Sequence, residues 1–188
     1  MELRGPWMRM HPVEYDPIFF GRSGDGRFDD PEGEYGVLYA AEDAFGAFVE
    51  SFGRAPGRNI VSWQRLRDRP LSRIGPAETG VSLRLVDLTG AGLAQIGATA
   101  DLTSGFYRAA QRWSRALHEH PSEPDGLLYR LKHDPSRKGV AIFERAGVLE
   151  AHFFGTLITA EHKKLLSAIL EEYEFGLVGG PTAGWGAL

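Results

Sequence analysis

Two arginines, a tyrosine and a glutamate within the first fifty residues are the grouping in this sequence that could best support chemistry. Arg9 lies in a short run that could be a strand, Arg27 ends a glycine-rich turn, and Tyr39 lies in a predicted strand. Glu50 follows on a helix whose apolar positions recur at three- and four-residue spacing. Its side of that helix also carries Val49, so we expect the carboxylate to lie partly against the body of the domain. An unpaired buried charge is costly, and a carboxylate at this position therefore needs a reason.

Each of these residues also has an ordinary structural interpretation. Glu50 could pair with Arg54 four residues later, in an exposed ion pair worth about 0.2–0.5 kcal/mol. Arg27 could be a solvated turn cation, and Tyr39 a core residue whose hydroxyl bonds the backbone. Arg9 could be an exposed strand residue. Spacing alone leaves both interpretations open.

Several other catalytic motifs are absent from the sequence. No P-loop occurs, and Gly90-Ala-Gly92 lacks the third glycine of a dinucleotide-binding fingerprint. No Gly-x-Ser-x-Gly elbow supports a serine hydrolase. The pair His118-x-His120 has no cysteine or paired carboxylate at ligand spacing, so we interpret both as surface histidines and predict no metal site.

The composition is typical of one globular domain. The 188 residues are 43% hydrophobic, which is enough to form one core. The net charge of −4 provides no basic field for a nucleic-acid backbone, so nucleic acid is not expected as a primary partner. The sequence has no cysteine, no signal-peptide pattern and no apolar run near the roughly 20 residues that a membrane span needs. It thus predicts a cytoplasmic protein without a membrane partner.

Helices and short strands alternate without a regular βαβ rhythm, which predicts an α+β fold. The predicted strands cover 7–10, 36–40, 82–88, 126–129 and 140–143. The predicted helices cover 42–53, 103–118 and 160–174, and a loop rich in Gly, Asp and Pro covers 15–34. A loop of that length is usually functional or disordered. We expect a single domain over 1–178 and a flexible Gly-rich tail over 179–188.

The chain resembles the RES-domain family in four N-terminal elements that follow in the same order. They are Trp7-Met-Arg-Met-His11, Gly26-Arg-Phe-Asp-Asp30, Gly36-Val-Leu-Tyr-Ala-Ala-Glu42 and Ala47-Phe-Val-Glu50. The later half of the family is similar to Leu85-Val-Asp-Leu88, to Tyr107 with Gln111 and Trp113, to Asp125-Gly-Leu-Leu-Tyr129 and to Val140-Ala-Ile-Phe143. The resemblance covers roughly residues 7–145.

This resemblance implies an ADP-ribosyltransferase-like fold, with two small, mostly antiparallel sheets, flanking helices and a central NAD cleft. It implies an NAD-consuming toxin paired with an Xre-type antitoxin, which would be its one indirect link to nucleic acid. The reaction would cleave the nicotinamide–ribose bond and pass ADP-ribose to water or phosphate, as a glycohydrolase or a phosphorylase does. Two alternatives stay open: transfer of ADP-ribose to a target protein, and a degenerate member that only binds a partner.

The resemblance also implies roles for individual residues. Arg9 and Arg27 would hold the pyrophosphate of NAD, and Tyr39 would stack on its nicotinamide side. Glu50 would be the catalytic carboxylate, with Arg27 beside it. These roles agree with general chemistry, because arginine forks suit phosphate oxygens, an aromatic face suits a flat cationic ring, and a carboxylate stabilises developing positive charge.

One position departs from the family's pattern. A serine should stand two residues after Tyr129, but Leu131 occupies that place. The cleft would then be completed by other groups, with Lys132 and His133 as candidates to contact NAD. If the side chain at this position faces the cleft, Leu131→Ser should raise NAD affinity or turnover. A drop in activity and melting temperature would instead mark Leu131 as a core residue.

Overall fold

The computed structural model describes residues 1–53 and 59–180, and in these ranges helices pack against a long β-sheet. The strands are β1 (Glu2–Leu3), β2 (Trp7–Met10), β3 (Val37–Ala41), β4 (Ile60–Ser62), β5 (Leu71–Pro76), β6 (Leu83–Asp87), β7 (Gly126–Arg130), β8 (Lys138–Phe143), β9 (Leu149–Gly155) and β10 (Gly176–Val178). The helices are α1 (Ala44–Phe52), α2 (Trp63–Arg67), α3 (Ala91–Gln95), α4 (Asp101–Ser104), α5 (Tyr107–His118) and α6 (Lys163–Glu172), with a 3-10 turn at Ala160–His162. The predicted mixed α+β class is confirmed.

The large sheet joins eight of the described strands in the order β1-β6-β7-β8-β3-β2-β5-β9. Its neighbours pair antiparallel except β6 with β7, and β10 pairs β4 as a separate parallel pair. The expectation of two small, mostly antiparallel sheets is therefore corrected. The two halves of the large sheet, β1-β6-β7-β8-β3 and β2-β5-β9, are joined, and among the described residues the second sheet has two strands.

The joint between the two halves is short. One residue pair, Met8 with Ala41, connects β2 to β3. By contrast, β3 pairs β8 along its whole length, and so does β2 with β5. One such pair is enough to make the sheet continuous, and sequence patterns carry no signal for so short a contact. We call the remaining, unpaired stretch between β2 and β3 the seam.

Two hydrophobic clusters cover the two faces of the sheet. Successive side chains of a strand point to opposite faces, and β8 shows this alternation clearly. Ala141 and Phe143 belong to the larger cluster, whereas Val140 and Ile142 belong to the smaller one. The helix α1 packs in the larger cluster through Phe48 and its neighbours.

The N-terminus of α1 is fastened to the loop between β7 and β8. Asp43 caps the helix by accepting a hydrogen bond from the Gly46 N–H at 2.8 Å. Arg137 forms ion pairs with Asp43 and with Asp134, and it also donates to the Tyr173 hydroxyl at 3.1 Å. These contacts fix the direction of α1 and hence the position of any side chain that it carries.

Some predictions lie outside the described residues. Arg54 and residues 181–188 of the Gly-rich tail belong to the ranges that the structure leaves undescribed. Within the described ranges, no helix combines the length and the apolar character needed to cross a bilayer.

Gly126→Ala tests the packing of β7 against β8. A Cβ at Gly126 would lie 2.3 Å from the Ala141 carbonyl oxygen and 2.9 Å from the Ile142 Cα. Because the backbone of β8 must move to admit the methyl group, we expect the free energy of unfolding to fall by about 1–3 kcal/mol. Urea denaturation followed by tryptophan fluorescence measures this. Gly176→Ala is the control, since its nearest heavy atoms would lie 3.8 Å away. Equal stability of both variants would contradict the described pairing.

Candidate active site

A cavity of about 540 Å³ opens at the seam. β2 contributes Met8, Arg9 and Met10 to its wall, β3 contributes Tyr39, Ala40 and Ala41, and α1 contributes Ala47, Glu50, Ser51 and Phe52. Gly26, Arg27, Tyr107, Tyr129, Leu131 and Lys132 also line it. The structure thus brings together the arginines, the tyrosine and the glutamate that the sequence singles out.

Arg27 is buried, with 6% of its surface exposed. Its Nη1 donates to the Gly105 carbonyl oxygen at 2.9 Å, and its guanidinium lies 4.5 Å from the centroid of the Tyr107 ring. Its Nη2 is buried and has no hydrogen-bond partner among the described residues. Arg27 is therefore not a solvated turn cation. A buried donor without a partner is costly, and an anion in the cavity would supply one.

A buried carboxylate shapes the turn that carries Arg27. Asp29 is 3% exposed, and it accepts hydrogen bonds from the Tyr39 hydroxyl at 2.7 Å and from the Gly26 N–H at 2.9 Å. The Tyr39 hydroxyl in turn accepts from the Phe28 N–H at 2.8 Å. A Cβ at Gly26 would lie 2.3 Å from Asp29 Oδ1 and 2.6 Å from the Tyr39 oxygen. Only glycine fits this turn without a shift of its neighbours.

The helix α5 fastens the same turn from the other side. Gln111 donates to the carbonyl oxygens of Gly24 and Gly26 at 2.7 and 3.0 Å. Ser114 donates to the carbonyl oxygen of Phe28 at 2.7 Å. This part of the loop predicted over 15–34 is consequently held in place by hydrogen bonds.

Tyr39 lines the cavity, and its hydroxyl is already engaged in hydrogen bonds. Its hydroxyl is engaged by Asp29 and by the Phe28 N–H. Burial, followed by the charge of Asp29, raises the pKa of Tyr39 well above its ordinary value. The side chain is neutral at physiological pH, and its aromatic face is what it can offer to a ligand.

Arg9 crosses the seam. Its Nη1 donates to the Tyr39 carbonyl oxygen at 3.3 Å and its Nη2 to the Phe19 carbonyl oxygen at 3.2 Å. Its Nε is buried and has no hydrogen-bond partner within the described ranges. Burial lowers the pKa of Arg9 to about 10, so the side chain stays cationic at neutral pH. The interpretation as an exposed strand residue is wrong.

Glu50 is half-buried at the cavity wall, as its place on the helix predicts. Its Oε1 accepts a hydrogen bond from the main-chain N–H of His133 at 3.2 Å. His133 thus reaches the site through its backbone, and among the described residues its ring is not part of the cavity wall. The ring instead approaches Gly53 at the end of α1.

Leu131 fills the space between two glycines and is only 2% exposed. A Cβ at Gly46 of α1 would lie 2.7 Å from its Cδ1, and a Cβ at Gly139 of β8 would lie 2.5 Å from its Cδ2. The side chain belongs to the larger core cluster and closes the cavity from that side. The place of the family serine is thus a packing position in this chain.

Sequence reasoning did not assign Tyr107, Arg65 or Arg69 to the site, although all three line the cavity. Two cations approach the Tyr107 ring, since the Lys132 Nζ is 5.6 Å from its centroid and Arg27 contacts the same ring. Arg65 and Arg69 also line the cavity. The last two belong to a basic segment over 59–69, but nothing in the sequence of that segment indicates which of its arginines line the cavity.

The charge of the cavity wall favours an anion. The cations Arg9, Arg27, Arg65, Arg69 and Lys132 line it, against the carboxylates Asp25 and Glu50.

The histidine pair that the sequence singles out is not part of a metal site among the described residues. His118 stacks on Tyr35 with ring centroids 3.7 Å apart. In the ranges described, no group of three or more His, Cys, Asp or Glu side chains could hold a metal ion.

Comparison with known proteins yields one family and one fold. A family model described as the RES domain matches residues 4–155. The chain is similar to a chain in the crystal structure of the M. tuberculosis MbcT-MbcA toxin-antitoxin complex, with a TM-score of 0.66 and 18% sequence identity. That likeness covers 89% of this chain and 91% of the other. No curated protein matches the sequence.

Leu131→Ser tests whether the Leu131 side chain packs between α1 and β8. The substitution removes buried methyl groups between α1 and β8 and leaves a hydroxyl in an apolar site, so we expect the free energy of unfolding to fall by about 2–5 kcal/mol. Urea denaturation measures the change. Leu131→Met conserves volume and is the control, with an expected loss below about 1.5 kcal/mol. A serine variant as stable as the wild type would show that the side chain faces the ligand space instead.

Proposed function

The chain belongs to the RES-domain family, and from that membership we propose that it consumes NAD by cleaving the nicotinamide–ribose bond. The observation that carries this proposal is that Arg9 and Arg27 line one cavity, and that each has a guanidinium nitrogen without a hydrogen-bond partner among the described residues. Phosphate oxygens accept charge-assisted hydrogen bonds from such groups. The pyrophosphate of a dinucleotide fits this requirement.

The dimensions and the position of the cavity support the same ligand. Its volume of about 540 Å³ is within the range of about 300–1,000 Å³ that is usual for small-molecule sites. It opens where the two halves of the sheet are joined by the single pair Met8–Ala41. A ligand held between two half-sheets is the arrangement that we infer for an ADP-ribosyltransferase-like fold.

Glu50 is the group that we assign to bond cleavage. As the bond breaks, its electron pair goes to the nicotinamide nitrogen, which becomes neutral, and positive charge develops on the ribose. A carboxylate held next to that carbon stabilises the charge. The N–H of His133 orients the Glu50 carboxylate. Water or phosphate then adds to the ribose carbon and loses a proton, so the enzyme acts as a glycohydrolase or a phosphorylase.

Tyr39 and Arg27 complete the assignment. Because the Tyr39 hydroxyl is held by Asp29, the aromatic face is left for the flat, cationic nicotinamide ring. Arg27 already has one nitrogen on the Gly105 carbonyl oxygen, so its free Nη2 has a defined direction. Such pre-organisation reduces the ordering cost of binding. Because Leu131 belongs to the core, the proposed reaction uses no side-chain hydroxyl at position 131, where the family has a serine.

We also propose that the protein is the toxin of a toxin–antitoxin pair and that an Xre-type antitoxin is its partner. Family membership and the fold shared with a chain of the MbcT-MbcA complex support this role. Contact with DNA would then be indirect. The net charge of −4 agrees with that expectation.

Glu50→Gln tests the catalytic assignment. The change keeps the size of the side chain and removes its charge, so NAD turnover should fall by at least about a hundredfold while the fold is kept. Purified protein is incubated with NAD, with and without phosphate and cell lysate, and the products are identified. Glu171→Gln, at an exposed position of α6, is the control. Turnover of the Glu50 variant within a few fold of wild type excludes this role, and ADP-ribose found on lysate protein identifies a transferase instead.

Arg27→Ala and Arg9→Ala test the pyrophosphate assignment. Each removes a charge-assisted contact worth about 1.5–3 kcal/mol, so NAD affinity should fall by about 10- to 150-fold. Isothermal calorimetry on the Glu50→Gln background measures affinity without turnover. Arg112→Ala, at an exposed position of α5, should bind NAD as before. Unchanged affinity in both test variants would show that Arg9 only bonds across the seam and that Arg27 only links its turn to Gly105.

A further inference from the structure

A second pair of arginines lines the cavity, on elements other than those that carry Arg9 and Arg27. Arg65 lies in α2, and Arg69 follows that helix. Among the described residues, neither guanidinium forms a hydrogen bond or an ion pair with another side chain or with the backbone. Arg67 of the same helix differs, since it lies 3.8 Å from the Asp68 carboxylate and does not line the described cavity wall. Two cations without acidic partners thus face the ligand space.

The surface beside these arginines is apolar. The Arg65 guanidinium lies 5.0 Å from the centroid of the Phe52 ring, and Phe52 is itself part of the cavity wall. Met10 and Pro12 line the cavity as well. An apolar surface with arginines at its side suits a flat base that carries a phosphate group nearby. Free orthophosphate would gain nothing from the apolar part.

The charges of the substrate point to the same conclusion. The proposed function uses Arg9 and Arg27 for the pyrophosphate, and NAD has no other anionic group. A phosphate on the 2′-hydroxyl of the adenosine ribose adds one, and arginines commonly accommodate that group in dinucleotide sites. We propose that Arg65 and Arg69 bind this 2′-phosphate, so that the preferred substrate is NADP rather than NAD. This inference rests on the proposed function.

The kinetic test compares the two dinucleotides. Loss of NAD and of NADP is followed separately, and kcat/KM is determined for each. We expect wild type to favour NADP by at least about tenfold, the effect of one charge-assisted contact of about 1.5 kcal/mol. Arg65→Ala and Arg69→Ala should each lower the ratio of the two kcat/KM values about tenfold. Arg67→Ala is the matched control on the same helix and should keep the ratio.

Binding of substrate fragments gives a readout that needs no turnover. Calorimetry compares adenosine 2′,5′-bisphosphate with AMP, which differ only in the 2′-phosphate. Wild type should bind the bisphosphate more tightly, and Arg65→Ala and Arg69→Ala should each reduce that preference. The two fragments therefore test the arginine pair even if neither dinucleotide is consumed, in which case the proposed function fails separately.

Three results would overturn the inference. One is equal use of NAD and NADP by wild type together with equal binding of the two fragments. Another is a preference for the 2′-phosphate that both arginine variants retain. The third is stimulation of NAD loss by orthophosphate that disappears in these variants without any preference for NADP, because the pair would then serve the acceptor.

Discussion

The single residue pair between β2 and β3 is the constraint on which the site depends. Past Met8 and Ala41 the two strands no longer pair, yet buried main-chain groups still require partners. Arg9 provides one by donating across the seam to the Tyr39 carbonyl oxygen. A cation is thereby held where the sheet is open. The Tyr39 carbonyl oxygen needs a donor because the strands do not pair there. The donor is Arg9, and its positive charge therefore lies on the cavity wall.

A buried carboxylate has a comparable role at the turn that carries Arg27. Asp29 would be costly in the interior if it lacked donors, but a hydroxyl and a main-chain N–H satisfy it. The bonds that stabilise its charge also determine the turn at Gly26 and the orientation of the Tyr39 ring. One nitrogen of the Arg27 side chain is bound to Gly105, and another has no partner in the part of the chain that the structure describes. The hydrogen bonds that hold this turn thus leave one nitrogen of Arg27 for the ligand that we propose.

The sequence predicts well what depends on periodicity and poorly what depends on contacts between distant segments. The apolar spacing of α1 and the alternation in β6 are visible in the sequence, and so is the grouping of residues that reaches the cavity. The strand β5 was not predicted because Gly75 and Pro76 at its end are typical of turns. The place of the exposed Arg65 at the cavity wall follows from its contact with Phe52, which residue type alone does not indicate.

The presence of Leu131 in place of the family serine is also explained by contacts between distant segments. The leucine packs between Gly46 on α1 and Gly139 on β8, so it sets how closely the helix approaches the sheet. Two residues later, the His133 N–H binds the Glu50 carboxylate, which α1 carries four residues after Gly46. The packing contact and the hydrogen bond therefore join the same two segments. A serine at 131 would add a hydroxyl but weaken the contact that brings the helix to the loop. In this chain the apolar side chain supports the position of Glu50, and its effect on the site is exerted through packing.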